Sequence, residues 1–316
     1  MGVSAMTVGD WVADQRENIR EEGITTGLQR AARDAWPGIW RRLGRLGNYG
    51  ETYWERDWDV LVLLDSCRHD VMQEASADRA WLPDTVPSVY SAASMSEEWI
   101  ERHTDSRHSE AMAETTLISA NPHTRVDCVR ERDWHTVDEV WRHSWDDGVD
   151  TVPPRGVTDA AIREARTGDS DRLIIWYMQP HQPFVGAEWS KGYEKETFGE
   201  GGNHGQDVWR QCRNGEVSRE ELWEAYRRTL NWVLDDVELL TENIDGHVAI
   251  TADHGNALGE WGLYGHPKYV PAPAIKRVPW IALDATDSET YTPAAEPDST
   301  GDAEVVESRL ADLGYV

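Results

Sequence analysis

The chain has 316 residues, enough for one large domain or two ordinary ones with a sizeable buried core. Its 58 Asp and Glu against 31 Lys and Arg give a net charge of −27, and only four cations are lysines: Lys191, Lys195, Lys268 and Lys276. That balance excludes a general binder of nucleic acid, since phosphate affinity comes from Lys and Arg, and it resembles proteins of salt-loving microbes, whose surfaces stay soluble when salt screens repulsion.

The three cysteines, Cys67, Cys128 and Cys212, are odd in number and widely spaced, which implies neither a disulfide framework nor a clustered metal site. The N-terminus lacks the apolar core of a secretory signal, and no window approaches the roughly 20 apolar residues that span a bilayer. The expected location is a reducing cytoplasm. Residues 1–57 read as an N-terminal amphipathic helical segment and residues 58–316 as one catalytic domain. Within the first, residues 27–47 carry Arg30, Arg33, Arg41, Arg42 and Arg45 against a single acid, Asp34. Trp36, Ile39, Trp40, Leu43 and Leu46 recur there at helical spacing, after or across a break at Pro37. Such a segment either packs its Trp and Leu stripe on the domain or makes peripheral contact with an anionic membrane at the inner surface.

From residue 58, short Val, Ile and Leu runs alternate with longer polar, helix-like stretches. That pattern predicts an α/β fold: a doubly wound, mainly parallel central sheet with helices on both faces. Strands are expected at Asp59–Leu64, Thr116–Ser119, Leu173–Met178, His247–Thr251 and Val278–Leu283. A long helix is expected over Glu220–Thr241, with Ser218 and Glu221 as a capping box. Gly186–Gly215, with five glycines over 199–215, reads as a long loop or lid containing His204, and residues 285–303 as a surface excursion before a short helix around Ala303–Leu313.

Three strands end in polar clusters: Asp65-Ser66-Cys67-Arg68, Gln179-Pro180-His181 and Ala252-Asp253-His254-Gly255. In open α/β sheets ligands collect at the carboxyl ends of strands, so these clusters should converge. Asp65 directly follows a buried run and needs a cation or donors there, or else caps a turn. Asp70 suits a cap or a first-turn charge. Asp253 and His254 offer a hard oxygen and a borderline nitrogen to one divalent ion. The hydroxyl-rich stretch Pro87–Trp99 runs into a helix start, with Ser94 and Glu97 spaced as a capping box; Ser91 best fits a serine that binds a metal and attacks a phosphoryl or sulfuryl centre.

These islands resemble the alkaline phosphatase superfamily, in its sulfatase-like and phosphoethanolamine-transferase-like branches. Asp59–Asp70 is similar to the family's first metal strand, and Pro87–Ser94 to its nucleophile loop, with Ser91 at the nucleophile. Tyr177–Phe184 resembles the strand whose His contacts the transferred anion. Thr251–Glu260, followed by Tyr264-Gly265-His266 and Val278-Pro279-Trp280, carries both the metal pair and a later His. The resemblance implies a sulfatase-like core and a metal-dependent phosphoester hydrolase or phosphoryl-group transferase. In it Asp65, Ser91, Asp253 and His254 hold a divalent ion (Zn, Mn or Mg, with Ca less suited), and Ser91 forms a phosphoserine. His181 and His266 contact nonbridging oxygens, protonate the leaving oxygen or serve as ligands to a second ion, and Arg68 pairs with the phosphoryl group or makes a surface ion pair. The substrate would be a small-molecule, glycan or lipid-head-group anionic ester. Sulfatases require a Cys/Ser-x-Pro-x-Arg signal for formylglycine, and Ala93 and Met95 occupy the Pro and Arg positions after Ser91, which favours an unmodified serine. A sulfatase, or a non-catalytic metal-binding member acting in surface-glycan or membrane assembly, are the alternatives. His69, His103, His108, His123, His135, His143 and His247 read as solvated or structural.

Overall fold

The structure is a computed structural model that describes residues 36, 38–47, 49–192, 195 and 208–295. The Ala303–Leu313 helix, residues 193, 194 and 196–207 of the expected Gly186–Gly215 loop with His204 among them, and residues 1–35 lie outside the described residues; the end of that expected loop, Val208–Asn214, is helical. Helix α1 covers residues 38–46. There follow β1 (Val60–Leu64), α2 (His69–Ser76), β2 (Ser88–Tyr90), α3 (Ser96–His103), β3 (Thr115–Ser119), β4 (Thr136–Asp138), α4 (Pro154–Thr167) and β5 (Arg172–Tyr177). Then come α5 (Val208–Asn214), α6 (Arg219–Thr241), β6 (Gly246–Thr251), β7 (Ala257–Leu258), β8 (Tyr264–Gly265), β9 (Arg277–Pro279) and β10 (Ile281–Ala285).

The central sheet has six strands in the order β10-β6-β1-β5-β3-β4. Its five inner pairings are parallel except β10, which runs antiparallel to β6 at one edge. All five residues of β1 are buried, as a continuous apolar run in the middle of a parallel sheet must be. Consecutive residues of β5 show that both faces are covered. Tyr177 meets Thr158 of α4 through its hydroxyl (2.8 Å), while the Trp176 ring packs edge-on against Trp99 of α3, 4.9 Å between centroids. On the Tyr177 face α4 packs against α6, the long helix that begins at the Ser218/Glu221 capping box. The mainly parallel α/β architecture expected from the sequence is therefore present.

The chain departs from its sequence reading at the last strand. Val278–Leu283 is two strands: β9 pairs antiparallel with β2, and Trp280 separates it from β10. Strands β2 and β4 are three residues long and lack an apolar run, so alternation could not reveal them. The apolar core also starts ahead of residue 58, because Tyr53 and Trp54 are buried in it. Among the described residues no helix is long and apolar enough to cross a membrane.

Candidate metal and phosphoryl site

Strands β1, β3, β5 and β6 are neighbours, and the residues just past their carboxyl ends meet: Asp65, Asn121, His181 and Asp253-His254. Ligand atoms of Asp65, Asp253 and His254 lie within 4.8 Å of one another, and all three residues are buried. The Ser66 and His254 amides donate to Asp253 Oδ1 at 2.9 and 2.8 Å. Asp65 accepts from the Ser66 hydroxyl at 2.8 Å and from Asn121 Nδ2 at 2.7 Å. His254 Nδ1 faces the Gly255 carbonyl at 2.9 Å, so its proton belongs on Nδ1 and the Nε2 lone pair points to the carboxylates, 3.3 Å from Asp253 Oδ2.

Two buried carboxylates facing each other are electrostatically costly. Burial first, and the charge of Asp253 second, hold the Asp65 carboxyl well above the usual carboxylate range despite three hydrogen bonds to it. A divalent cation would relieve that repulsion, and two carboxylates with a free imidazole nitrogen are a donor set that suits one. The residues present therefore fit a metal ion, held by Asp65, Asp253 and His254.

Among the described residues the serine whose hydroxyl meets all three of these side chains is Ser96, not Ser91, while the Ser66 hydroxyl meets Asp65 alone. Ser96 Oγ donates to Asp253 Oδ2 at 2.7 Å and lies 3.2 Å from Asp65 Oδ2 and 3.4 Å from His254 Nε2. It is the first residue of α3, where free backbone amides and the helix dipole favour an anion. Ser91 sits behind the site. Its hydroxyl donates to the Asp253 carbonyl at 2.5 Å and accepts from the Ala93 amide at 3.1 Å, and its own amide donates to the Lys276 carbonyl. With no path to the carboxylates, Ser91 buttresses the backbone that carries one of them.

The loop between these serines is held by Glu98, which the sequence reading passed over. Its buried carboxylate accepts from the Ser94 amide and hydroxyl (3.0 and 2.8 Å), from the Tyr269 amide (3.2 Å) and from Arg102 (3.0 Å). The expected Ser94–Glu97 capping box is thus a Ser94–Glu98 contact, because the helix starts at Ser96 and not at Ser94. Glu97 instead pairs with Lys268 at 3.1 Å.

Three imidazoles complete the site wall. The His266 ring stacks on His254 (4.5 Å between centroids, 28° between planes) and meets His181 edge-on at 5.4 Å. His181 Nδ1 faces the Gln182 carbonyl at 2.6 Å. Burial lowers His181 to about 3 and His266 well below its ordinary value, each pushed further by neighbouring histidines. His266 Nδ1 is buried without a hydrogen-bond partner.

No family model matches the sequence, and no curated protein matches it. Solved structures do match in fold. One is the soluble domain of lipooligosaccharide phosphoethanolamine transferase A from Neisseria meningitidis, 18% identical with a TM-score of 0.46, over 70% of this chain and 75% of that one. The integral membrane form of that protein is 14% identical with a TM-score of 0.49; 87% of this chain spans 59% of it. A zinc complex of the C-terminal periplasmic domain of EptC from Escherichia coli is 13% identical with a TM-score of 0.44, over 75% and 76% of the two chains. The likeness is one of fold.

Two further residues stand differently from their sequence reading. Arg68 does not face the cluster with free donors: it grips Asp70 through two hydrogen bonds (2.8 and 2.6 Å) and donates to the Asn256 carbonyl and Glu260 (2.6 and 2.9 Å). It joins the start of α2 to the loop after His254, and those acids hold its guanidinium firmly charged against the cost of burial. His123, read as structural, belongs to the site's electrostatics. Burial lowers it to about 4, with Arg125, His254 and Lys268 adding to the effect. Asn121 places it: its Oδ1 accepts from the His123 amide at 2.9 Å while its Nδ2 holds Asp65. The signal available in sequence was Ser119-Ala120-Asn121 at the end of a buried strand, the same position that drew attention to Asp65.

Proposed function

We propose that this chain is a metal-dependent phosphoester hydrolase or phosphoryl-group transferase, with Ser96 as nucleophile and Asp65, Asp253 and His254 as metal ligands. The observation that carries this reading is the position of Ser96 Oγ, within 3.4 Å of a ligand atom of all three. A bound divalent ion would supply positive charge that favours the serine alkoxide and the phosphoryl oxygens.

The chain's own residues account for the rest. Asp253 Oδ2 accepts the Ser96 hydroxyl hydrogen bond and orients the oxygen for attack. A bond then forms from Ser96 Oγ to phosphorus as the bond to the leaving alcohol oxygen breaks, giving a phosphoserine. The first-turn amides of α3 face the oxygens that gain charge. His181 and His266 are neutral in the free protein because burial disfavours the imidazolium. A phosphoryl dianion beside them reverses that balance, so one can carry the proton that the leaving oxygen needs. Water or an acceptor hydroxyl then takes the phosphoryl group from Ser96. The named substrates of the similar structures, lipooligosaccharide among them, agree with a glycan or lipid-head-group ester.

A sulfatase reading has less support. Ser96 is followed by Glu98 and Ile100 at the positions where the formylglycine signal has Pro and Arg, so an unmodified serine remains. The test is turnover of paired aryl phosphate and aryl sulfate esters by the full chain with Mn, Zn or Mg. Phosphate turnover that Ser96→Ala removes is expected; sulfate turnover exceeding phosphate turnover, or activity that survives the substitution, overturns the reading.

A further inference from the structure

Large apolar side chains in this acidic protein are not exposed at random. Among the described residues eight are exposed, and five of them, Trp36, Ile39, Leu43, Leu46 and Trp261, belong to α1 and the turn beside it. Leu46 is 88% exposed and Trp261 64%. Single exposed hydrophobics are ordinary; a contiguous group with a charged border marks an interaction surface.

The helix is mounted on the body by its other side. Trp40 packs on the small cluster of Leu263, Val270, Ala272 and Ile275. Gly44 lies so close to the Tyr269 carbonyl that a Cβ there would sit 1.9 Å from the oxygen, so this face of the helix must be bare. Trp36 Nε1 donates to the Trp261 carbonyl at 2.6 Å, and Arg45 covers the Tyr269 ring at 4.9 Å. With Trp40 and Gly44 turned inward, Ile39, Leu43 and Leu46 fall at spacings of four and three on a stripe that flanks this buried face and is itself about half exposed or more. Arg41, Arg42 and Arg45 occupy the remaining arc and are exposed; among the described residues none of them makes an ion pair. In a chain of net charge −27, a helix that presents three arginines beside an apolar stripe is a local exception to the acidic surface.

We propose that α1, Trp36 and Trp261 dock this protein on the surface of an anionic lipid bilayer. The Ile39–Leu43–Leu46 stripe and the two tryptophans enter the headgroup boundary, and the arginines meet lipid phosphates. Charge complementarity selects the occupant: a second copy pairing stripe to stripe would set Arg41, Arg42 and Arg45 against the same arginines, whereas an anionic bilayer surface sets phosphates against them and an acyl boundary against the stripe. The position has a consequence for the site. The helix rests on Tyr269 and Pro271, in the segment that carries His266 and whose Tyr269 amide braces Glu98 of α3, so docking would bring the strand-end site toward the lipid headgroups. Docking itself does not depend on the catalytic reading.

The test is flotation of the full chain with vesicles of phosphatidylglycerol and, separately, of phosphatidylcholine, in potassium chloride that keeps its circular dichroism native. The proposal expects at least tenfold greater partition onto phosphatidylglycerol, and its loss in Ile39→Glu/Leu43→Glu, whose side chains are solvent-facing and whose melting curve should match the parent. Soluble aryl phosphate turnover by that variant should be unchanged, which keeps failure here distinct from failure of the Ser96 mechanism. No partition by the parent, equal partition onto both lipids, or full partition by the variant overturns the proposal. So does a dimer in sedimentation that the variant abolishes without any vesicle binding.

Discussion

Two groups of buried histidines in this molecule look alike until their nitrogens are counted. His103 stacks on Trp99 at 3.7 Å; its Nδ1 faces the Trp99 carbonyl (2.9 Å) and its Nε2 accepts from the Tyr53 amide (3.2 Å). Burial lowers it to about 3, the same value as His181. Around Asp65 and Asp253 the pattern differs: His254 Nδ1 is satisfied by the backbone, while its Nε2 faces two carboxylates and a serine, and His266 Nδ1 has no partner. A depressed imidazole pKa therefore reports burial in both places. Nitrogen left over beside unneutralised carboxylates separates a ligand site from a packed core.

The sharpest way to break this contrast is at the serines. Ser96→Ala should lower turnover by about 10³-fold or more, because it removes the attacking atom. Ser91→Ala should leave turnover within about tenfold and cost about 1–3 kcal/mol of stability by orphaning the buried Asp253 carbonyl, read by denaturant unfolding. Equal kinetic effects at both positions would erase the distinction.

Chelation comes next. Removing divalent ions should abolish turnover, and adding Zn or Mn at 100-fold over its dissociation constant should stabilise the chain by about 2.7 kcal/mol, seen as a rise in Tm. Asp253→Asn should lose that rise, and His103→Gln should keep it.

The core histidine predicts a pH effect of its own. His103 is held far below its ordinary value in the folded chain, so as pH falls below about 6.5 the unfolded chain binds the proton first and stability is lost. Between pH 7 and pH 4 the loss from this one group approaches about 3 kcal/mol, and His103→Gln should flatten the slope by that amount in unfolding titrations. The smallest effect expected is at Asn121. Asn121→Ala leaves the ligands in place but removes one hydrogen bond from Asp65 (2.7 Å), costing about 1 kcal/mol and weakening metal binding several-fold in calorimetry.

The sheet and the acids were legible in sequence for one reason: a buried parallel strand is a continuous apolar run, and polar residues just past the ends of neighbouring strands gather in one crevice. That rule pointed to Asp65, His181 and Asp253-His254, and the structure brings these together. It could not choose among the serines. Ser91, Ser94 and Ser96 lie on a loop whose path is set by tertiary contacts of Glu98 with Tyr269 and Arg102, partners 171 and 4 residues away, and local spacing carries no trace of the first. For Arg68 the ion-pair alternative is the one the structure shows: Asp70, two residues away, could be read from the sequence as its partner, but Glu260 reaches it only through the fold. His123 lacked an apolar strand directly before it, since Asn121-Pro122 intervenes.

The most direct measurement is mass spectrometry of the segment between Arg79 and Arg102 after the metal-loaded chain meets a phosphate ester and is quenched in acid. Fragmentation of that peptide separates Ser91 from Ser94 and Ser96. Phosphate on Ser96 alone is the expected result; phosphate on Ser91, or turnover with no phosphoserine trapped on this peptide, would contradict the account.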